Sequence, residues 1–192
     1  MSRGISQKTK KLTLGAIFAA IGVVMLTLGS LVEVLDLSMA AIASMLCVVA
    51  VIEIGGAYPW LIYGTTSILS VVLYPAGTAC WLYLIFFGYY PIVKEKLERL
   101  HRSVAWILKL VLFNVSVLAY VAIAYFLFFG GADAVSLKNV FASVIGGEDA
   151  GFALAIVLYV ALNIVFILYD VALTRLISFY FVKLRHRFKF FK

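Results

Sequence analysis

The apolar run from Leu12 to Val32 carries no charged residue and begins almost where the chain begins. At ~1.5 Å of helical rise per residue, some twenty such residues cover the ~30 Å hydrocarbon layer of a bilayer. In lipid every backbone polar group needs an internal partner, so this stretch has to be a helix. Its first turns read Leu14-Gly15-Ala16-Ile17-Phe18-Ala19-Ala20-Ile21-Gly22. Gly15 with Ala19, and Ala16 with Ala20, form two overlapping small-x-x-x-small pairs, and the i, i+4 spacing sets each pair on one helix face. Such a face lets another helix come close. Arg3, Lys8, Lys10 and Lys11 stand just before it, which places the small residues near the cytoplasmic end of the span. The run is too long for the core of a signal peptide and lacks an A-x-A end, so it is expected to be retained.

Hydrophobic residues make up 65% of the 192 and charged residues 13%. A soluble domain carries about twice that share of charge, so the expected class is an all-α, polytopic membrane protein. Short polar breaks divide the chain into six expected spans in one bundle, at residues 12–32, 37–54, 60–73, 78–93, 104–129 and 152–182, with no separate soluble domain. The breaks are Glu33 to Asp36, Gly55-Gly56 before Pro59, Tyr74-Pro75-Ala76-Gly77, and a charged segment from Lys94 to Arg102. The third span is short and holds Gly64, Thr65, Thr66 and Ser67, which suits a helix packed inside the bundle, tilted, or helped by its flanks. Glu95 with Arg99 and Glu98 with Arg102 are i, i+4 pairs that favour continuing the helix through the charged segment.

Basic residues order these spans. With six spans and the N-terminus inside, residues 1–11, 94–103 and 183–192 hold 13 of the 16 Lys and Arg, and the external loops hold one, Lys138. Lys109 and Arg175 lie toward the inner ends of spans, where long side chains snorkel. The expected topology therefore has both termini in the cytoplasm and the bundle in the cell membrane. The basic excess follows this topology instead of forming an arm or face, which argues against a nucleic-acid partner. Cys47 and Cys80 fall inside apolar runs and read as small buried hydrophobes.

Between the last two expected spans lies an external segment, residues 130–151. From Val135 to Ile145 its apolar residues recur at Leu137, Val140, Phe141, Val144 and Ile145, an amphipathic-helix spacing bracketed by Gly130-Gly131 and Gly146-Gly147. Two readings stand: a lid over a cavity, or a passive interfacial helix.

No Ser/His/Asp arrangement, phosphate-cradling glycine loop or metal-ligand spacing occurs, so neither an enzyme nor a cofactor site is expected. Polar groups inside the bilayer are then the places to seek function, because each is costly unless paired or wetted. On the last span Tyr159, Asn163, Phe166, Asp170 and Thr174 share a stripe. Asn163 matches the depth of Asn114, which suits either a mutual hydrogen bond or a ligand contact. Glu53, Lys109, Asp170 and Arg175 lie at comparable inner depth and read as a charge-neutralised structural cluster, with proton coupling through Asp170 as the alternative. Toward the outside stand Glu33, Asp36, Trp81, Tyr120, Tyr125 and Tyr159. Aromatic residues there serve as interfacial anchors or, together beneath the loop, line a small concave site.

Size, six spans with both ends inside, basic cytoplasmic ends and the Ala16-x-x-x-Ala20 pair together resemble the S component of energy-coupling factor transporters, the membrane subunit that binds a vitamin or similar micronutrient. The resemblance implies that Gly15, Ala16, Ala19 and Ala20 dock on the coupling helices of a transmembrane T protein joined to two ATPase subunits. It also implies a ligand site in the outer half, near Glu33, Asp36, Trp81, Tyr120, Tyr159 and Asn163. The rival expectation is a ligand-free membrane scaffold whose helix faces bind other membrane proteins.

Overall fold

In the computed structural model, residues 2–129, 150–180 and 182 are described. They form helices α1 (Ser2–Leu31), α2 (Asp36–Glu53), α3 (Tyr58–Leu73), α4 (Thr78–Leu82), α5 (Tyr90–Leu97), α6 (Arg102–Phe129) and α7 (Ala150–Phe179). A 3-10 turn, Glu33–Leu35, precedes α2, and a π-helical turn, Tyr83–Phe87, joins α4 toward α5. No strand occurs among the described residues. Four stretches are long and apolar enough to cross a membrane: Gln7–Leu31, Asp36–Glu53, Arg102–Ala124 and Val157–Phe179. The chain is therefore a multi-pass, all-α membrane protein.

Local chemistry accounts for the breaks. Gly55 and Gly56 adopt φ of +64° and +66°, a left-handed turn open to glycine, and they carry the chain from α2 into α3. Pro59 and Pro91 both stand in the first turn of their helices, where a missing N–H leaves no bond unmade. Lys11 of α1 reaches across to donate from Nζ to the Ile54 carbonyl at 3.1 Å, satisfying an acceptor at the end of α2.

The contacts divide the chain into two units, Met1–Lys109 and Leu110–Lys192. In the first unit α1 is the organising element and packs along α2, α3 and α4, while α2 also meets α5 and the π turn. The second unit holds the remainder of α6 and α7, with Phe113 and Phe166 stacked at 4.5 Å and 10°.

Several boundaries differ from the sequence expectation. Helix α1 begins ten residues before the apolar run, so the basic N-terminal segment is itself helical. The helix expected to continue through Lys94 to Arg102 stops at Leu97 and restarts at Arg102. Its first pair forms, Arg99 to Glu95, but Glu98 turns instead to Lys94 at 3.1 Å and Lys109 at 3.4 Å. The expected fourth span is not one regular helix. It is α4, the π turn and the start of α5, because Gly88 N–H bonds back to the Tyr83 carbonyl at 2.8 Å, five residues earlier. The expected amphipathic segment, Val135 to Ile145, lies outside the described residues, as does the basic C-terminal stretch from Lys183.

Candidate functional site

Helix α1 has two faces, and they separate the two small-residue pairs. Gly15 and Ala19 are buried, on the same side as Gly22, Val23, Leu26 and Gly29. A Cβ at Gly15 would stand 3.3 Å from Ile62 Cγ1, at Gly22 2.9 Å from Thr66 Cγ2, and at Gly29 2.5 Å from Met39 Cβ. Gly15, Gly22 and Gly29 thus recur every seven residues, a heptad seam where α3 and α2 approach the α1 backbone. Ala16 and Ala20 are exposed, in line with Leu12, Ile17, Val24 and Leu28. The four-residue docking face read from the sequence is therefore two half-faces, one closed within the protein and one open.

Beneath the seam lies a polar core, of which sequence reading named Thr66, Ser67 and Cys47 but not Ser44 or Ser70. Ser44, Cys47, Thr66, Ser67, Ser70 and Tyr83 are all buried. Cys47 Sγ and Tyr83 Oη share a hydrogen bond at 3.1 Å, and both cysteines are free thiols. Tyr63 Oη donates to the Leu84 carbonyl inside the π turn at 2.7 Å. The widened turn displaces its carbonyls from the helical ladder, and the phenol satisfies one of them. Gly88 is required beside it, since a Cβ there would stand 2.5 Å from Tyr63 Cδ2. The signals were available in Gly88 and Pro91, which interrupt the aromatic run.

The six candidate ligand residues are distributed over both units. Glu33 lies in the 3-10 turn, with its side chain outside the described part. Asp36 is buried at the first turn of α2, and Trp81 donates from Nε1 to the Pro75 carbonyl at 2.8 Å. These three stand at the end of the first unit away from its lysines. In the second unit Tyr120 is half-buried and Tyr159 exposed, while Asn163 Nδ2 donates to the Tyr159 carbonyl at 2.9 Å. Asn114 Nδ2 donates to Asn163 Oδ1 at 3.3 Å, so the mutual amide bond expected at mid-span is present. Along the α7 stripe Phe166 and Asp170 are buried, but Tyr159 and Thr174 are exposed. The buried line is Phe166, Asp170 and Leu173, narrower than the expected stripe.

Of the expected inner charge cluster, Glu53 and Lys109 belong to the first unit, Asp170 and Arg175 to the second. Lys109 is buried and shares Glu98 with buried Lys94, while its ammonium also sits 5.5 Å from the Trp106 ring. Lys94, which opens the charged segment assigned to the cytoplasmic side, is 1% exposed. Among the described residues no group of three His, Cys, Asp or Glu could hold a metal. Compared with protein-family models, curated proteins and solved structures, the chain matches none.

Proposed function

We propose that this chain is the substrate-capturing membrane subunit of an ATP-driven uptake transporter for a vitamin-like micronutrient, similar to the S components of energy-coupling factor transporters. The observation that supports it best is the division of α1: the Gly15 and Ala19 face is occupied by α3, and the Ala16 and Ala20 face is left open. An exposed pair of alanines one turn apart lets a partner helix approach closely without displacing the protein's own packing. In the proposal the bundle has six spans with both ends cytoplasmic, α3 and the α4 to α5 segment serving as the two short ones. A small molecule enters from the outside, with Glu33, Asp36 and Trp81 of the first unit and Tyr120, Tyr159 and Asn163 of the second as the candidate contacts. Docking of Ala16 and Ala20 on a T protein coupled to ATPase subunits then drives the captured molecule inward.

Two measurements test this reading. Replacing Ala16 and Ala20 together by Leu abolishes copurification with a T protein and its ATPases and leaves the fold intact, because both side chains point away from the protein. A thermal-shift screen against vitamins finds at least one stabilising compound, since a ligand at ~100 times its Kd adds ~2.7 kcal/mol. Stabilisation by none, with partner binding retained in the double variant, favours a ligand-free scaffold.

A further inference from the structure

Contacts at the two ends of the first unit fix how far apart those ends stand. At the basic end Lys11 Nζ of α1 meets the Ile54 carbonyl at 3.1 Å and lies 5.9 Å from the centre of the Tyr58 ring, so Lys11, Ile54 and Tyr58 are level. At the other end a Cβ at Gly29 would stand 2.5 Å from Met39 Cβ, and one at Gly77 would stand 2.5 Å from Ser30 Oγ and 2.6 Å from Tyr74 Cδ1. Gly29, Ser30, Met39, Tyr74 and Gly77 are therefore level too. Helix α3 crosses between these levels in 16 residues, a rise of ~24 Å, and α2 crosses from Met39 to Ile54 in ~22 Å. The α4 to α5 segment agrees. Cys80 Sγ lies 3.7 Å from Ser30 Oγ, and Lys96, 5.8 Å from the centre of the Trp60 ring, follows ~24 Å further along. Helix α1 covers more, ~28 Å from Lys11 to Ser30, so it runs inclined to the others.

An ordinary hydrocarbon layer of ~30 Å exceeds this span by ~6 Å. The α1 to α2 hairpin makes up the difference, since Leu31, Val32 and Val34 are exposed beyond the outer level. Helix α3 has no such extension. At both its ends the chain leaves the helix, through Gly55 to Ala57 and through Tyr74 to Gly77, and backbone groups outside a helix do not lie against lipid. Tilting shortens a helix's reach, so α3 gains nothing by it. We infer that the bilayer is thinned locally along α3 to about 24 Å, and that the first unit is thicker on its α1 to α2 side than on its α3 side. The exposed Leu61, Ile68, Val72 and Leu73 are the side chains that meet this thinned layer. The inference rests on α3 being one of the proposed spans and needs no transport partner.

Electron paramagnetic resonance of nitroxides on the full chain, in vesicles of dioleoyl phosphatidylcholine, tests it, with depth read from the ratio of oxygen to nickel-chelate collisions. Leu61→Cys and Leu73→Cys place labels at exposed positions near the two ends of α3, ~18 Å apart along it. Their depths below the headgroups sum to ~6 Å if the layer is thinned, against ~12 Å if it keeps its ordinary thickness. Vesicles of dimyristoleoyl phosphatidylcholine, whose chains are shorter, leave the sum unchanged within ~3 Å. Ile68→Cys is the safeguard against an end variant that does not fold, and its label reads ~9 Å deep. The unsubstituted chain stays unlabelled, because Cys47 and Cys80 are buried. A sum of ~9 Å or more in dioleoyl vesicles, a fall of more than ~3 Å in the thinner ones, Ile68 at ~12 Å or deeper, or labels that meet neither probe would each overturn the inference. An Ile68 label open to the nickel chelate would overturn it differently, by removing α3 from the membrane and with it the reading of α3 as a span.

Discussion

Glycine at a helix crossing acts by what it leaves out. A Cβ added at Gly29 would meet the Cβ of Met39 at 2.5 Å, an atom fixed to the α2 backbone that cannot rotate away. Gly29→Ala therefore forces α1 and α2 apart and destabilises by about 1–3 kcal/mol. Gly64 is the internal control, for a Cβ there meets nothing within 4 Å. Gly64→Ala is neutral or stabilising by up to about 1 kcal/mol, through helix propensity alone. Denaturant titration of both variants in the same micelle compares them. The polar pair on α6 and α7 is tested separately: a double-mutant cycle with Asn114→Ala and Asn163→Ala returns a coupling near 0.6 kcal/mol, the usual value for hydrogen bonds between membrane helices. A coupling of zero would mean that the 3.3 Å contact contributes nothing.

Among the elements, the π turn is the least ordinary. Its extra residue rotates everything downstream by about 100°, so the burial of Tyr90 and Lys94 depends on it. Tyr63→Phe removes the donor to the Leu84 carbonyl and destabilises by about 0.5–1.5 kcal/mol, read by the same titration. Unfolding unchanged from the parent would show that the phenol's hydrogen bond is not needed to hold the turn open. The sequence made the long helices plain, since an uncharged run of twenty residues has few other fates in lipid. The π turn was not plain, because residues 78–93 are equally apolar in either ladder and hydropathy does not register a hydrogen-bond offset. The heptad of Gly15, Gly22 and Gly29 was visible as a spacing. Yet nothing in the α1 sequence says which of two neighbouring small-residue faces its own bundle will take. That choice belongs to Ile62, Thr66 and Met39, which lie on other helices. The burial of Lys94 was not legible for a similar reason: it depends on α2 packing beside α5.

For the whole molecule, the division of labour on α1 is what links fold to function. One side holds the first unit together, and the other, exposed, is the side proposed to meet a partner in the membrane. The sequence placed both pairs in a single docking surface; the packing assigns Gly15 and Ala19 to the interior. Two pairs of substitutions that look equivalent in the sequence therefore have opposite expected outcomes. Gly15→Leu with Ala19→Leu disrupts the α1 to α3 contact, so the protein loses stability whether or not a partner is present. Ala16→Leu with Ala20→Leu leaves unfolding unchanged, within about 0.5 kcal/mol, as expected for exposed positions. The most direct measurement is copurification of the Ala16→Leu, Ala20→Leu protein with a T protein and ATPase subunits in mild detergent. Loss of the partners from a protein of unaltered stability is the predicted result; partners retained at the level of the unsubstituted chain would contradict it.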